Sequence, residues 1–130
     1  MVNNTIKIMV RTSFKGSHSW PEASSFAGPN VRFLEHEHRH TFHIKCSLEV
    51  FHEDRDVEFF VLQGMLNDEI NYLYPPTAEQ PLLRELGRRS CETIASELIL
   101  GLRRHFHHST IAMEVWEDNE VGAEVTSSFD

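Results

Sequence analysis

An alternation running from Leu34 to Val50 limits the possible folds more than any other feature of this chain. Even positions carry histidine or apolar side chains, from Leu34, His36, His38 and His40 through Phe42 to Val50. Odd positions carry polar ones, from Glu35, Glu37 and Arg39 to Glu49. Successive side chains of an extended chain point to opposite faces, so this period of two predicts one long strand with a core face and a wet face. A strand of that length needs partners. Thr5 to Phe14 supplies one, with Ile6, Ile8 and Val10 on one side and Lys7 and Arg11 on the other. Between the two, Lys15 to Phe33 holds Gly16, Pro21, Gly28, Pro29 and several serines. It reads as a long loop, of the kind that is usually functional or disordered.

Beyond the long strand, Phe51 to Asp56 is a charged turn. Phe59, Leu62, Leu66, Ile70 and Leu73 then recur at three- and four-residue steps, an amphipathic helix that Pro75, Pro76 and Pro81 bring to an end. Ser90 is placed to cap a second helix that buries Cys91, Ile94, Ala95, Leu98 and Leu102. Arg103, Arg104 and His105 suit its last turn, where cations meet the negative end of the helix dipole. Thr110 to Glu117 and Val121 to Thr126 form a closing hairpin turned at Asp118-Asn119. The order β-β-α-α-β-β predicts one α+β domain over residues 1–130, with no internal repeat.

A chain of 130 residues can bury one core but not two. Its net charge of −8 argues against a general binder of nucleic acid or of anionic membranes, although a local basic cluster can still hold an anionic ligand. No apolar run is long enough to span a bilayer and no secretory apolar block precedes the first strand, so a cytoplasmic address is expected. Cys46 and Cys91 lie far apart and in no CxxC spacing, which suits reduced core thiols. The unusual count is nine histidines. His36, His38, His40 and His43 crowd into the long strand, and His105, His107 and His108 form a second group.

Residues two apart in a strand share a face and lie ~6.6 Å apart, so His38 and His40 can lean onto one ion. Zinc suits neutral imidazole, and a set of three protein ligands leaves the fourth position open for water or a ligand. His18, in the loop between the strands, is the natural third donor; His36 lies on the same strand face and spacing does not exclude it. Such HxH pairs also occur in strands that hold no metal.

Ser13-Phe14-Lys15-Gly16-Ser17-His18, followed by His38-Arg39-His40-Thr41-Phe42-His43-Ile44, resembles the 6-pyruvoyl-tetrahydropterin synthase family, which includes the 6-carboxy-tetrahydropterin synthases of the queuosine pathway. That family pairs a loop histidine, preceded four residues earlier by phenylalanine, with a strand bearing HGH and an aromatic two residues on. Val57-Glu58-Phe59 resembles its strand-to-helix junction, Ser90-Cys91-Glu92 the opening of its second helix, and Val115-Trp116-Glu117 the strand end that carries its ligand-anchoring glutamate. The resemblance covers nearly the whole chain in order. It implies the tunnelling fold, in which ββααββ subunits with an antiparallel sheet packed on two helices assemble into β-barrels. It also implies zinc held by His18, His38 and His40, and a pterin- or purine-type nucleotide anchored by Glu117. A carboxylate accepts two hydrogen bonds side by side, which matches an amino group beside a ring N–H. A solvated acid ahead of a turn is the plainer account of Glu117.

Three departures stand out. The family's cysteine, four residues before the first histidine of HGH, is Leu34 here, and the region of its aspartate–histidine dyad reads Asn71-Tyr72-Leu73-Tyr74-Pro75. Neither Cys46 nor Cys91 is expected where a replacement thiolate is needed. The HGH glycine is Arg39. Glu35, three residues before His38, matches a branch of the family that uses glutamate in place of the cysteine and yields 6-hydroxymethyl pterin; strand alternation points it away from the metal face unless a bulge re-aims it. Arg39, with Arg32, Arg88 and Arg89, is a candidate phosphate partner, and the run from Arg103 to His108 is another, each with a solvated surface as the alternative. Trp20 either stacks on a ligand ring or pins its loop. Two functions follow, beside the plainer alternative of a structural oligomer with an unused pocket. One is a zinc-containing binding protein that captures the nucleotide without turnover. The other is a zinc-dependent lyase acting on dihydroneopterin triphosphate with Glu35 as acid/base. Either way a homo-oligomer, a hexamer or another barrel-closed ring, is expected, because closing a barrel removes exposed sheet edges.

Overall fold

The computed structural model describes residues 3–129. Five strands form one sheet: β1 (Ile6–His18), β2 (His38–Val50), β3 (Arg84–Glu85), β4 (Ile111–Glu117) and β5 (Val121–Ser127), in the order β3-β1-β2-β4-β5. Two long helices, α2 (Phe59–Leu73) and α3 (Cys91–Arg103), supply the apolar faces that join the sheet in one buried cluster. A short helix, α1 (Ala23–Ala27), and a 3₁₀ segment, Pro29–Glu35, lie between β1 and β2. Among the described residues no helix is long and apolar enough to cross a membrane.

The period of two sets which face of β2 is buried. Phe42, Ile44, Cys46, Leu48 and Val50 are all at most 5% exposed, and Val10, Phe14, Met113 and Val115 join them from neighbouring strands. Each such large apolar side chain contributes roughly 1.5–3 kcal/mol on burial, so the register that keeps this face inward outcompetes a one-residue slip. Both helices start at side-chain caps. Glu58 accepts from the backbone N–H of Phe60 at 2.9 Å and of Val61 at 3.2 Å, and Ser90 accepts from that of Thr93 at 3.1 Å. The β4–β5 hairpin turns through Asp118 and Asn119, both at positive φ, as a type I′ turn requires.

Three expectations change. First, β1 does not stop at Phe14 but runs on to His18, pairing Gly16 with His40 and His18 with His38. Gly16 reads as a loop residue in sequence, yet it is there for close approach: a Cβ would lie 2.7 Å from Leu86 and 3.0 Å from Phe42. Second, β2 starts at His38 and not at Leu34. Pro29 opens the 3₁₀ segment, and its last residue Glu35 accepts from both the backbone N–H and the hydroxyl of Ser24. Third, β3 pairs with β1 in parallel, which makes the sheet mixed and not purely antiparallel. A two-residue strand carries too little pattern to be read from sequence. Within one chain the sheet is open, with β5 at one edge.

Candidate metal centre

The extension of β1 and the shortened start of β2 bring the three histidines together. His18 and His38 face each other across the first rung, and His40 is opposite Gly16 on the next same-face rung. All three rings project from the core face at the open end of the sheet, with one nitrogen from each lying within 4.8 Å of the others. Each Nδ1 is already committed. That of His18 lies 2.8 Å from the Arg89 carbonyl, that of His38 2.8 Å from the His36 carbonyl, and that of His40 2.7 Å from Asp118 Oδ2. Carbonyls and carboxylates only accept, so each Nδ1–H donates and each neutral ring keeps its lone pair on Nε2. The Nε2 of His40 is buried with no hydrogen-bond partner. Three inward Nε2 atoms with outward Nδ1–H bonds are the donor set a zinc ion takes, and the residues fit the group. His36 enters through its backbone carbonyl, not as a ligand.

Glu117, the last residue of β4, closes the cluster. Its Oε2 lies 3.2 Å from His18 Nε2 and its Oε1 3.5 Å from His40 Nε2. The hydrogen bond with His18 holds the carboxyl below its ordinary range, against the opposing effect of burial. Burial disfavours a charged His18, but the contact with Glu117 and the Arg89 carbonyl outweigh it, and its pKa is raised. Cys91 Sγ donates to Glu117 Oε2 at 3.6 Å. Sequence placed no cysteine near the site; Cys91 is beside it, although burial and the adjacent carboxylate push its thiol up to about 12, far from a thiolate.

A pocket of about 460 Å³ opens from this cluster, walled by Trp20, Leu34, Arg88, Arg89, Ser90 and Glu92. Ser90 is on its wall while also capping α3. Glu92, in the first turn of that helix, is a second carboxylate at the pocket that sequence reading did not single out. Other expected residues are elsewhere. Arg39 projects from the opposite face of β2 and borders a second hollow with Lys15, His40, Glu79 and Asp118. Glu35 is tied to Ser24, which holds its carboxyl below its ordinary range, and does not line the pocket. Arg103 is no phosphate clamp: it donates to the carbonyls of Phe106, Ser109 and Ser127.

Where a dyad was sought, Tyr74 is buried instead. Its hydroxyl donates to Glu97 at 2.8 Å, the Arg89 guanidinium donates to the same oxygen at 2.7 Å, and that guanidinium lies 5.2 Å from the tyrosine ring centre. The network fixes the backbone whose carbonyl holds His18. Its members lie just past the end of α2, in the loop before α3 and on α3, so no local pattern announces them.

No family model matches the sequence, and no curated protein matches it. Solved structures do share its fold. The 6-pyruvoyl tetrahydropterin synthase of Plasmodium falciparum is 15% identical over 98% of this chain and 100% of its own, with a TM-score of 0.68. An uncharacterized protein from Wolinella succinogenes is 16% identical over 97% and 100%, with a TM-score of 0.67. The Plasmodium vivax synthase, in a catalytic-residue mutant with glutamate replaced by alanine, is 12% identical over 98% and 100%, with a TM-score of 0.59. This chain therefore has the fold of the 6-pyruvoyl tetrahydropterin synthases.

Proposed function

We propose that this chain is a pterin-synthase-like binding protein that holds zinc through His18, His38 and His40 and captures a pterin- or purine-type nucleotide in the adjoining pocket. The observation that carries the reading is the convergence of three imidazoles, each with its Nδ1–H already bonded, two of which, His18 and His38, line a pocket walled by an aromatic ring, two arginines and a carboxylate. Zinc, when bound, supplies a Lewis acid with an open position for a ligand oxygen. Glu117 beside the metal centre and Glu92 at the wall are the two carboxylates offered to the amino and ring N–H edge of the heterocycle. Trp20 gives it a stacking face, and Ser90, Arg88 and Arg89 border the space for its polar substituents. Capture is favoured over turnover because apolar Leu34 stands at the cysteine position and Tyr74 occupies the dyad region in a structural network.

A lyase reading rests on a different observation: the vivax synthase of the same fold has a catalytic glutamate, and Glu35 is this chain's counterpart by motif. It requires Glu35 to release Ser24. Mixing zinc-loaded protein with dihydroneopterin triphosphate separates the two. Capture predicts about one equivalent retained and recovered intact. Progressive loss of substrate that Glu35→Gln abolishes selects the lyase, and neither retention nor loss overturns both.

A further inference from the structure

The regular pairing of β2 with β4 ends at Phe42 and Glu117. One residue on, Asp118 has a φ of 55°, in the left-handed region that aspartate tolerates better than most residues. From there its backbone N–H donates to the Thr41 carbonyl at 2.8 Å, and its Oδ1 accepts from the Thr41 N–H at 2.9 Å. The side chain thus stands in for the acceptor that a continuing strand would offer. That leaves Oδ2 free, and it accepts from His40 Nδ1 at 2.7 Å.

Of the three imidazoles, His18 and His38 are held at Nδ1 by backbone carbonyls, and only His40 is held there by a side chain. A neutral imidazole can carry its proton on either nitrogen. A carboxylate at Nδ1 settles the choice, fixes the ring's rotation and raises the basicity of Nε2. The Nε2 of His40 is itself buried and without a hydrogen-bond partner.

We infer that Asp118 is a positioning residue that aims His40 at the metal and tightens its hold, an inference that rests on the metal reading above. Asp118 does not border the ligand pocket; among the imidazoles it touches His40, while its other oxygen holds the Thr41 backbone.

The test uses chelator-stripped full-length protein, wild type and Asp118→Asn, titrated with zinc against a chromophoric chelator and with cobalt(II) as a visible-spectrum reporter. Asparagine has one acceptor oxygen and can serve Thr41 or His40 but not both. Zinc affinity is expected to fall about 10- to 100-fold with an altered cobalt spectrum, while the stripped variant still melts cooperatively. Unchanged affinity and spectrum in the folded variant overturn the inference while leaving the metal reading intact. A wild type that takes up no zinc overturns both. Nitrogen NMR of stripped wild type at pH 8 is independent of the variant's folding: neutral His40 protonated on Nδ1 supports the inference, and on Nε2 refutes it.

Discussion

At the residue scale, proton and metal compete for one nitrogen. The Nε2 of His18 faces Glu117 at 3.2 Å, and the pair titrates in opposite senses. Glu117 is held below its ordinary 4.5 by His18, so its contribution is present above that value and is lost as pH falls through the folded pKa. His18 is raised above 6.5 despite burial, so its contribution is full below 6.5 and is lost as pH rises through the folded pKa. Metal-free protein is therefore expected to draw most from this pair between about pH 4.5 and 6.5 and to melt at lower temperature at pH 8. Zinc needs the neutral ring, so the increment it adds must grow over the same rise. Thermal melts of stripped and loaded protein from pH 5 to 8 check both slopes. Parallel slopes would show that His18 is not the shared nitrogen.

Among the elements, the crossing of α2 and α3 depends on Gly101. A Cβ there would overlap the carboxylate of Glu69, which is buried and accepts from Arg104 at 2.6 Å. Glycine inside a helix costs about 1 kcal/mol relative to alanine, so only the space it leaves accounts for it. Gly101→Ala is expected to destabilise by roughly 1–3 kcal/mol, because Glu69 must move from its place. In a Glu69→Ala background the same change is expected to stabilise by up to about 1 kcal/mol, from helix propensity alone. Urea midpoints of the four proteins give the cycle, and an unchanged sign in the second background would refute the steric account.

For the whole molecule, the open sheet leaves two long edges. β5 has a partner on one side only, and β3 covers β1 at Gly16 and Ser17 alone. Unpaired edges of that length invite another strand, so chains are expected to pair edge to edge into a closed ring. Light scattering should return a multiple of the 15.1 kDa chain mass, and a monomer at working concentrations would remove the argument. With a ring, the pocket between β1, α3 and the β4–β5 turn would lie near a subunit boundary.

The alternation of β2 and the apolar steps of α2 and α3 were legible in the chain because each is a local period imposed by one backbone geometry. His38 and His40 came with that period, and the cap Ser90 lies within three residues of the group it serves. What the sequence could not decide is what meets those elements across the fold. It did not reveal that Gly16 continues a strand or that residues 34 to 36 leave one. Nor did it place Arg89, Asp118 and Cys91 around the imidazoles. The hydrogen bonds that orient His18 and His40 span 71 and 78 positions, and no local pattern encodes a contact of that range. Only the packed sheet and helices bring those atoms within bonding distance.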